Sequence, residues 1–124
     1  MKNGEQTLEI PSSLVTNTLY LCGTWNFAQE YTQNTSLNAK IQFKYQAKNV
    51  YFVASAGTAV KVKVTRDGGQ PLGALRGKDV DVDGYVTIQA NRLYTLIQDA
   101  SYDTHALEME IQGTGLQAYT FTFG

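Results

Sequence analysis

The sequence predicts an all-β domain from three observations: strict alternation of apolar and polar residues, regular turn signals, and no apolar stripe at helical spacing. Apolar and polar residues alternate through residues 60–66, and Asp67-Gly68-Gly69 then gives a turn signal. Successive side chains of a strand point to opposite sides, so this run is a strand with one apolar and one polar face. The alternation recurs about every ten residues to the end of the chain, as in antiparallel sandwiches.

The composition fits one domain and excludes some partners. A chain of 124 residues is long enough for one two-layer core. Its 10 Lys and Arg residues nearly balance 11 Asp and Glu residues, so we expect no nucleic-acid partner. No apolar run approaches the roughly 20 residues that span a bilayer, so we expect no membrane insertion of this segment.

The N-terminal part is predicted to be looser than the rest. Residues 1–18 mix polar residues with a short apolar patch around Pro11, and we interpret them as a lead-in or linker remnant. A single β-sandwich domain over residues 19–124 follows. It begins with a strand at residues 19–22 and a short extended piece that reaches Tyr31.

Two strands follow, with different patterns. Every second residue of 41–47 is apolar, which is typical of a half-buried strand. Residues 50–54 are almost continuously apolar, which indicates a central strand covered on both faces. Lys48 and Asn49 stand between them and are predicted to form a hairpin turn.

The strand at residues 60–66 leads into a loop over residues 70–78. Pro and Gly residues lengthen this loop, which carries Arg76 and Lys78 and is the largest irregular surface available for function. The polar face of the preceding strand is formed by three residues, Lys61, Lys63 and Thr65. This face is either plain solvent-facing surface or part of whatever the domain recognises.

The rest of the chain is predicted to be strands and turns. Asp83-Gly84 is a strong hairpin signal, residues 100–105 are predicted to form a loop, and a final hairpin is predicted to pair residues 107–111 with residues 119–123. Both strands of this hairpin are expected to bury their apolar faces. The predicted strands after the loop are residues 80–82, 85–88, 92–97, 107–111 and 119–123. Residues 92–97 also fit one helical turn, but we favour the strand.

Several segments together resemble one known module. They are Leu21-Cys22-Gly23-Thr24-Trp25, the strand and turn over residues 62–68, Arg92-Leu93-Tyr94 and the ending Phe121-Thr122-Phe123-Gly124. From about residue 19 to residue 124, the chain resembles the C-terminal domain of DipZ-type and related thioredoxin-like thiol:disulfide interchange proteins. The resemblance implies an antiparallel jelly-roll β-sandwich similar to galactose-binding and carbohydrate-binding modules.

The same resemblance implies a context and a function. It implies a thioredoxin-like domain as partner in the parent protein and an extracytoplasmic location, in the periplasm or cell envelope. The function it implies is a non-catalytic binding module that recognises an envelope carbohydrate or a partner protein. The alternative is a docking domain that packs on the thioredoxin-like domain and binds no small ligand.

Redox chemistry and other catalysis are not expected of this chain. Cys22 is the single cysteine, so there is no CxxC motif and no internal disulfide. Its apolar and Gly neighbours indicate a small buried thiol on a strand, the alternative being a reactive one. We find neither a nucleophile with a base nor a carboxylate cluster, so we predict no enzyme.

Aromatic and polar residues near the first strand are candidates for sugar binding. Trp25 follows a Gly-Thr turn and precedes Glu30 and Tyr31. An aromatic plane packs on the C–H face of a sugar ring, and polar groups bond its hydroxyls. The alternative is that Trp25 closes one end of the core. Arg66, Arg92 and Tyr94 are further candidates, since a guanidinium binds carboxylate or hydroxyl pairs.

A short acidic run imitates the start of a calcium loop. In residues 79–84, alternate acidic residues precede a Gly, and Asp79 and Asp81 would be the first ligands. Ala90 stands where the bidentate Glu would be needed. The run reads equally as an alternating strand that ends in an Asp-Gly turn. We therefore predict no cofactor, with a structural calcium ion as the alternative.

Overall fold

The computed structural model describes residues 4–8, 19–28 and 31–124, and the strands in this part of the chain pair antiparallel throughout. The single helical element there is a 3-10 turn at Gly73–Leu75, so no helix among these residues has the length to cross a membrane. The predicted all-β class is confirmed. The strands are β1 Gly4–Leu8, β2 Leu19–Phe27, β3 Thr32–Asn34, β4 Lys40–Ala56, β5 Val60–Arg66, β6 Tyr85–Ile88, β7 Arg92–Gln112 and β8 Leu116–Phe123.

Four of these strands form a closed circuit. The start of β2 pairs with the start of β4, and the end of β2 pairs with β3. β3 pairs with β8, and β8 returns to the far half of β4. Because β4 is bonded to different strands at its two ends, the sheet folds over on itself. The result is the predicted sandwich, with its core between the two layers.

β4 runs through both layers, and a β-bulge in its middle makes this possible. Buried and more exposed residues alternate along β4, but the alternation shifts by one residue at Lys48 and Asn49. The pairing with β7 is interrupted at the same place: Ala47 stands opposite Asp103 and Asn49 opposite Gln98, so Lys48 faces residues 99–102 of β7. The backbone N–H groups of both residues donate to the Gly124 carbonyl, each at 3.0 Å. The predicted hairpin turn here is wrong, because the extra residue changes the phase of the strand and not its direction.

β7 is likewise one long strand that crosses both layers. It pairs with β4 over residues 92–98 and again over residues 103–110, and with β5 from Leu107 to Gln112. The predicted loop at residues 100–105 is therefore wrong. The second half of this segment, Asp103 to His105, is in the ladder with β4.

The predicted final hairpin is also wrong. β7 pairs with β4 and β5, whereas β8 pairs with β3 and β4. Leu107, Met109 and Ile111 are fully buried as predicted. On β8, Phe121 is only half-buried, stacked 4.4 Å from the Phe52 ring, and Phe123 is 41% exposed.

The predicted strand at residues 80–82 is a turn. Asp81 Oδ1 accepts hydrogen bonds from the backbone N–H groups of Asp83 and Tyr85, at 3.0 and 2.9 Å. Such a side-chain turn satisfies the backbone locally and competes with strand pairing. Val82, predicted to be on a strand, is 81% exposed at the tip of this turn.

The predicted lead-in contributes one strand to the sheet. Its residues 4–8 form β1, which pairs with the second half of β2 so that Gly4 stands opposite Phe27. Residues 9–18 lie outside the described residues. The boundary proposed at residue 19 stays a prediction.

Candidate functional site

An apolar groove opens where β2 and β8 diverge. β3 bridges the two strands at one end, and each then pairs with a different part of β4. The cavity left between them has a volume of about 260 Å³. Its lining residues are Leu19, Leu21, Phe27, Ala28, Tyr31, Thr32, Ile41, Ala118, Tyr119, Thr120 and Phe121.

The chemistry of the groove is aromatic and uncharged. The Tyr31 and Tyr119 rings lie 5.5 Å apart, centroid to centroid, with their planes tilted by 51°. Leu19 is 46% exposed at its edge. The Thr32 and Thr120 hydroxyls already donate to backbone carbonyls, at 3.3 Å each. None of the lining residues is charged. The groove thus suits an apolar surface or the C–H face of a ring.

The predicted sugar-binding group near β2 is only partly brought together. Tyr31 lies in the groove, as a binding residue would. Trp25 has no exposed surface, and its Nε1–H donates to the Cys22 carbonyl at 3.0 Å. Its assignment as a stacking platform is therefore wrong, because its indole belongs to the core. Glu30 lies outside the described residues, and Cys22 is half-buried.

Arg92 and Tyr94 form a structural cluster with Asp79. The Arg92 guanidinium lies 3.9 Å from the Tyr94 ring centroid, and its Nη2 lies 3.0 Å from Asp79 Oδ1. The Tyr94 ring is buried, and its hydroxyl donates to the Ala90 carbonyl and accepts from the Gln89 N–H. Tyr94 was predicted to bind a ligand, but burial prevents this. The cluster ties the start of β7 to the segments before it.

The two predicted calcium ligands have separate partners. Besides Arg92, Asp79 accepts a 2.6 Å hydrogen bond from the Thr95 N–H. Burial raises the pKa of Asp79, but the bonds from Arg92 and Thr95 lower it by more, so that it lies below the usual 3.8. Asp81 Oδ1 accepts the two backbone hydrogen bonds of the turn over residues 81–85. In the described part of the chain, His, Cys, Asp and Glu residues form no group of three that could hold a metal ion. The absence of a cofactor stays a prediction, with calcium as its alternative.

Arg66 belongs to a cluster that sequence reasoning missed. Its Nη1 lies 3.1 Å from Asp67 Oδ2, which also lies 2.7 Å from His105 Nδ1. Burial raises the pKa of Asp67, but bonds from the Ala106 N–H, His105 and Arg66 lower it below 3.8. On its other side, His105 Nε2 lies 3.6 Å from Asp99 Oδ2. The cluster joins the end of β5 to β7. The sequence predicts His105 on a loop, and therefore gives no sign that it lies beside Asp67.

A second cavity lies on the loop that the sequence marked as the largest irregular surface. Its volume is about 370 Å³, and it shares no lining residue with the groove. Arg76 lines it, and Lys63 and Thr65 contribute from the polar face of β5, whereas Lys61 does not. We call it the loop cavity. Its lining residues are Lys63, Val64, Thr65, Gly69, Pro71, Leu72, Gly73, Arg76, Val82, Asp83 and Gly84.

Comparisons with known proteins agree with this fold. The family profile described as thioredoxin-like C-terminal domain matches residues 1–124. No curated protein matches the chain. A family two carbohydrate esterase from Clostridium thermocellum, in complex with cellohexaose, matches at a TM-score of 0.63 and 12% identity, over 81% of this chain and 29% of that one.

Two further solved structures are similar. An active-site mutant of a family two carbohydrate esterase from the same organism has a TM-score of 0.68 at 12% identity, over 86% of this chain and 31% of that one. A family 6 carbohydrate-binding module has a TM-score of 0.45 at 12% identity, over 98% and 93% of the two chains. The chain thus spans about three tenths of the length of the esterase chains. At this identity, the likeness to the esterases concerns the fold alone.

Proposed function

Because the chain belongs to the family of thioredoxin-like C-terminal domains, we propose that it is a non-catalytic module that docks on the thioredoxin-like domain of its parent protein. The groove between β2 and β8 is the docking surface. The observation that carries the proposal is the uncharged lining of this groove together with the exposure of Leu19. Burying such apolar surface against a partner contributes about 25 cal/mol per Å².

The position of β1 supports this partner. Gly4 stands opposite Phe27, and Phe27 lines the groove. A thioredoxin-like domain that precedes this module in a parent protein would therefore be tethered beside the groove. Tethering raises the effective concentration of the partner, so that a small apolar surface suffices for stable contact.

A non-catalytic role is supported by the surroundings of the single histidine. Both ring nitrogens of His105 face carboxylates, Asp67 on one side and Asp99 on the other. Among the described residues, neither ring nitrogen is hydrogen-bonded to a serine, threonine or cysteine side chain that it could activate as a nucleophile. The resemblance to DipZ-type proteins further supports an extracytoplasmic location for the parent protein, which fractionation of cells that produce it would check.

The docking proposal is tested with the thioredoxin-like domain added in trans. We expect Leu19→Ser to weaken its binding about tenfold or more, since a buried Leu contributes roughly 1.5–3 kcal/mol. Leu37→Ser is the matched control, because Leu37 is 71% exposed and does not line the groove. Calorimetric titration measures both. Equal affinities of the two variants and the unchanged domain would refute groove docking.

A carbohydrate is the second candidate for the groove. The tilted Tyr31–Tyr119 pair offers ring faces of the kind on which sugars stack, and an esterase of similar fold was solved with cellohexaose. Titration of cellohexaose, followed by NMR chemical shifts, tests this candidate. Shifts confined to Tyr31, Tyr119 and their neighbours would support it. Unchanged shifts at those residues would leave docking as the function of the groove.

A further inference from the structure

We propose that the loop cavity is a second binding site, and that its ligand is a hexuronate, a sugar unit that carries a carboxylate. This site is separate from the groove, so the proposal does not depend on docking. Its volume of about 370 Å³ falls in the range of small-molecule sites. The argument rests on the charges, the rigidity and the mixed lining of the cavity.

Two cations in the cavity are held by carbonyl groups. Lys63 Nζ donates to the Asp83 carbonyl and lies 4.7 Å from the Tyr85 ring centroid. Arg76 Nη1 donates to the Val80 carbonyl at 3.1 Å. The carbonyls orient the ammonium and guanidinium groups, but they do not neutralise the positive charge of either. Across the described ranges, neither cation forms an ion pair with a carboxylate. An ammonium has three donors and a guanidinium has five, so most of them stay available to a ligand.

The backbone beside Arg76 is fixed against β7. Arg76 forms a bridge with Ile97, and the Gly77 N–H donates to the Leu96 carbonyl at 2.9 Å. A Cβ on Gly77 would stand 2.6 Å from the Leu96 carbonyl carbon, so only glycine allows this approach. Leu72, another lining residue, is buried in the core. Donors on such a fixed frame bind with little loss of conformational entropy.

The rest of the lining selects an acidic sugar over a simple anion. Asp83 also lines the cavity, and its carboxylate repels a bare anion but accepts hydrogen bonds from hydroxyls. Thr65 adds another hydroxyl partner. Pro71 and the exposed Val82 offer apolar surface for the C–H face of a sugar ring. A hexuronate matches all three features: a carboxylate for the cations, hydroxyls for Asp83 and an apolar ring face.

Three small probes separate these features in the intact chain. Methyl glucuronide has the carboxylate and the hydroxyls, methyl glucoside lacks the carboxylate, and cyclohexanecarboxylate lacks the hydroxyls. We expect NMR shifts at Lys63, Arg76 and Val82 with methyl glucuronide, at an affinity about tenfold or more above that of either other probe. Similar shifts and affinities for methyl glucoside would overturn the role of the cations. Binding of cyclohexanecarboxylate with equal or higher affinity than methyl glucuronide would overturn the sugar assignment.

Variants test whether the cations act directly. Arg76→Gln should weaken methyl glucuronide binding about tenfold or more, since a charge-assisted hydrogen bond is lost. The matched control is Lys61→Gln, because Lys61 lies on the same strand face as Lys63 but outside the cavity. The control should leave the affinity unchanged. Equal losses in the two variants would show only a general charge effect and would refute the site, as would the absence of shifts at saturating probe.

Discussion

The groove and the loop cavity differ in what builds them. The groove is formed mainly by strand residues, several of which also belong to the core, and it contains no charge. The loop cavity is formed largely by the connection after β5, and it contains two cations and one carboxylate. The sandwich therefore supplies shape and apolar surface, whereas its longest connection supplies charged donors. Changes in the groove floor should therefore affect folding, and changes in the loop should affect mainly the local site.

The largest effect is expected at the groove floor. Ile41 is fully buried and lines the groove, so Ile41→Ala should lower the free energy of unfolding by about 2–5 kcal/mol. Urea denaturation measures this loss. Val82→Ala, at the rim of the loop cavity, should change stability by less than about 0.5 kcal/mol. Similar losses of unfolding free energy in the two variants would contradict the view that the groove floor belongs to the core and the rim of the loop cavity does not.

An intermediate effect is expected where the loop meets β7. Gly77→Ala would press a methyl group onto the Thr95 and Leu96 carbonyls, and we expect a loss of about 1–3 kcal/mol in stability. The loop should detach first, so binding in the loop cavity should disappear while the NMR shifts of the groove residues stay in place. Gly57→Ala is a suitable control, since a Cβ there meets no atom within 4 Å. Loss of both sites together would mean that the loop is no separate unit.

The smallest effect is expected at the Asp79–Arg92 pair. Asp79→Asn should cost about 1 kcal/mol at neutral pH, because Arg92 is about half exposed. The folded-state pKa of Asp79 lies below 3.8, so its contribution is present above about that pH and is lost as pH falls through the lower folded value. The difference in stability between the variant and the unchanged protein should therefore disappear at acidic pH. Thermal unfolding between neutral and acidic pH checks this, and a constant difference would contradict it.

The strands were predictable where alternation is uninterrupted. β5 spans Val60–Arg66 as predicted, because its pattern is local and ends in a clear turn signal. In the sequence, the bulge at Lys48 and Asn49 looks like a turn, since one extra residue and a reversal of the chain break the alternation in the same way. The alternation also does not show which strands pair with each other. The pairing of β8 with β4 depends on contacts between distant parts of the chain, which no local pattern encodes.

The sites were less predictable than the strands. Tyr31 was singled out, but its partner Tyr119 was predicted to lie deep in the core. Only the divergence of β8 from β2 makes Tyr119 accessible. At the loop cavity, the sequence places Arg76 on the largest loop available for function, but it does not decide whether Lys63 belongs to plain surface or to a site. The position of Lys63 at the cavity depends on the turn at Asp81. This turn brings Gly84 back to β5, where the Gly84 carbonyl accepts a 2.8 Å hydrogen bond from the Val64 N–H.

The closed circuit of β2, β3, β8 and β4 has a consequence for the order of folding. β8 follows the other three strands in the chain, so the circuit cannot close during synthesis until β8 has emerged from the ribosome. Pairings between such distant segments also form slowly, on the order of milliseconds to seconds. Until then, the far half of β4 waits for its β8 partner, and the groove, which takes Tyr119 and Phe121 from β8, does not exist. Any binding in the groove is thereby coupled to completion of the fold.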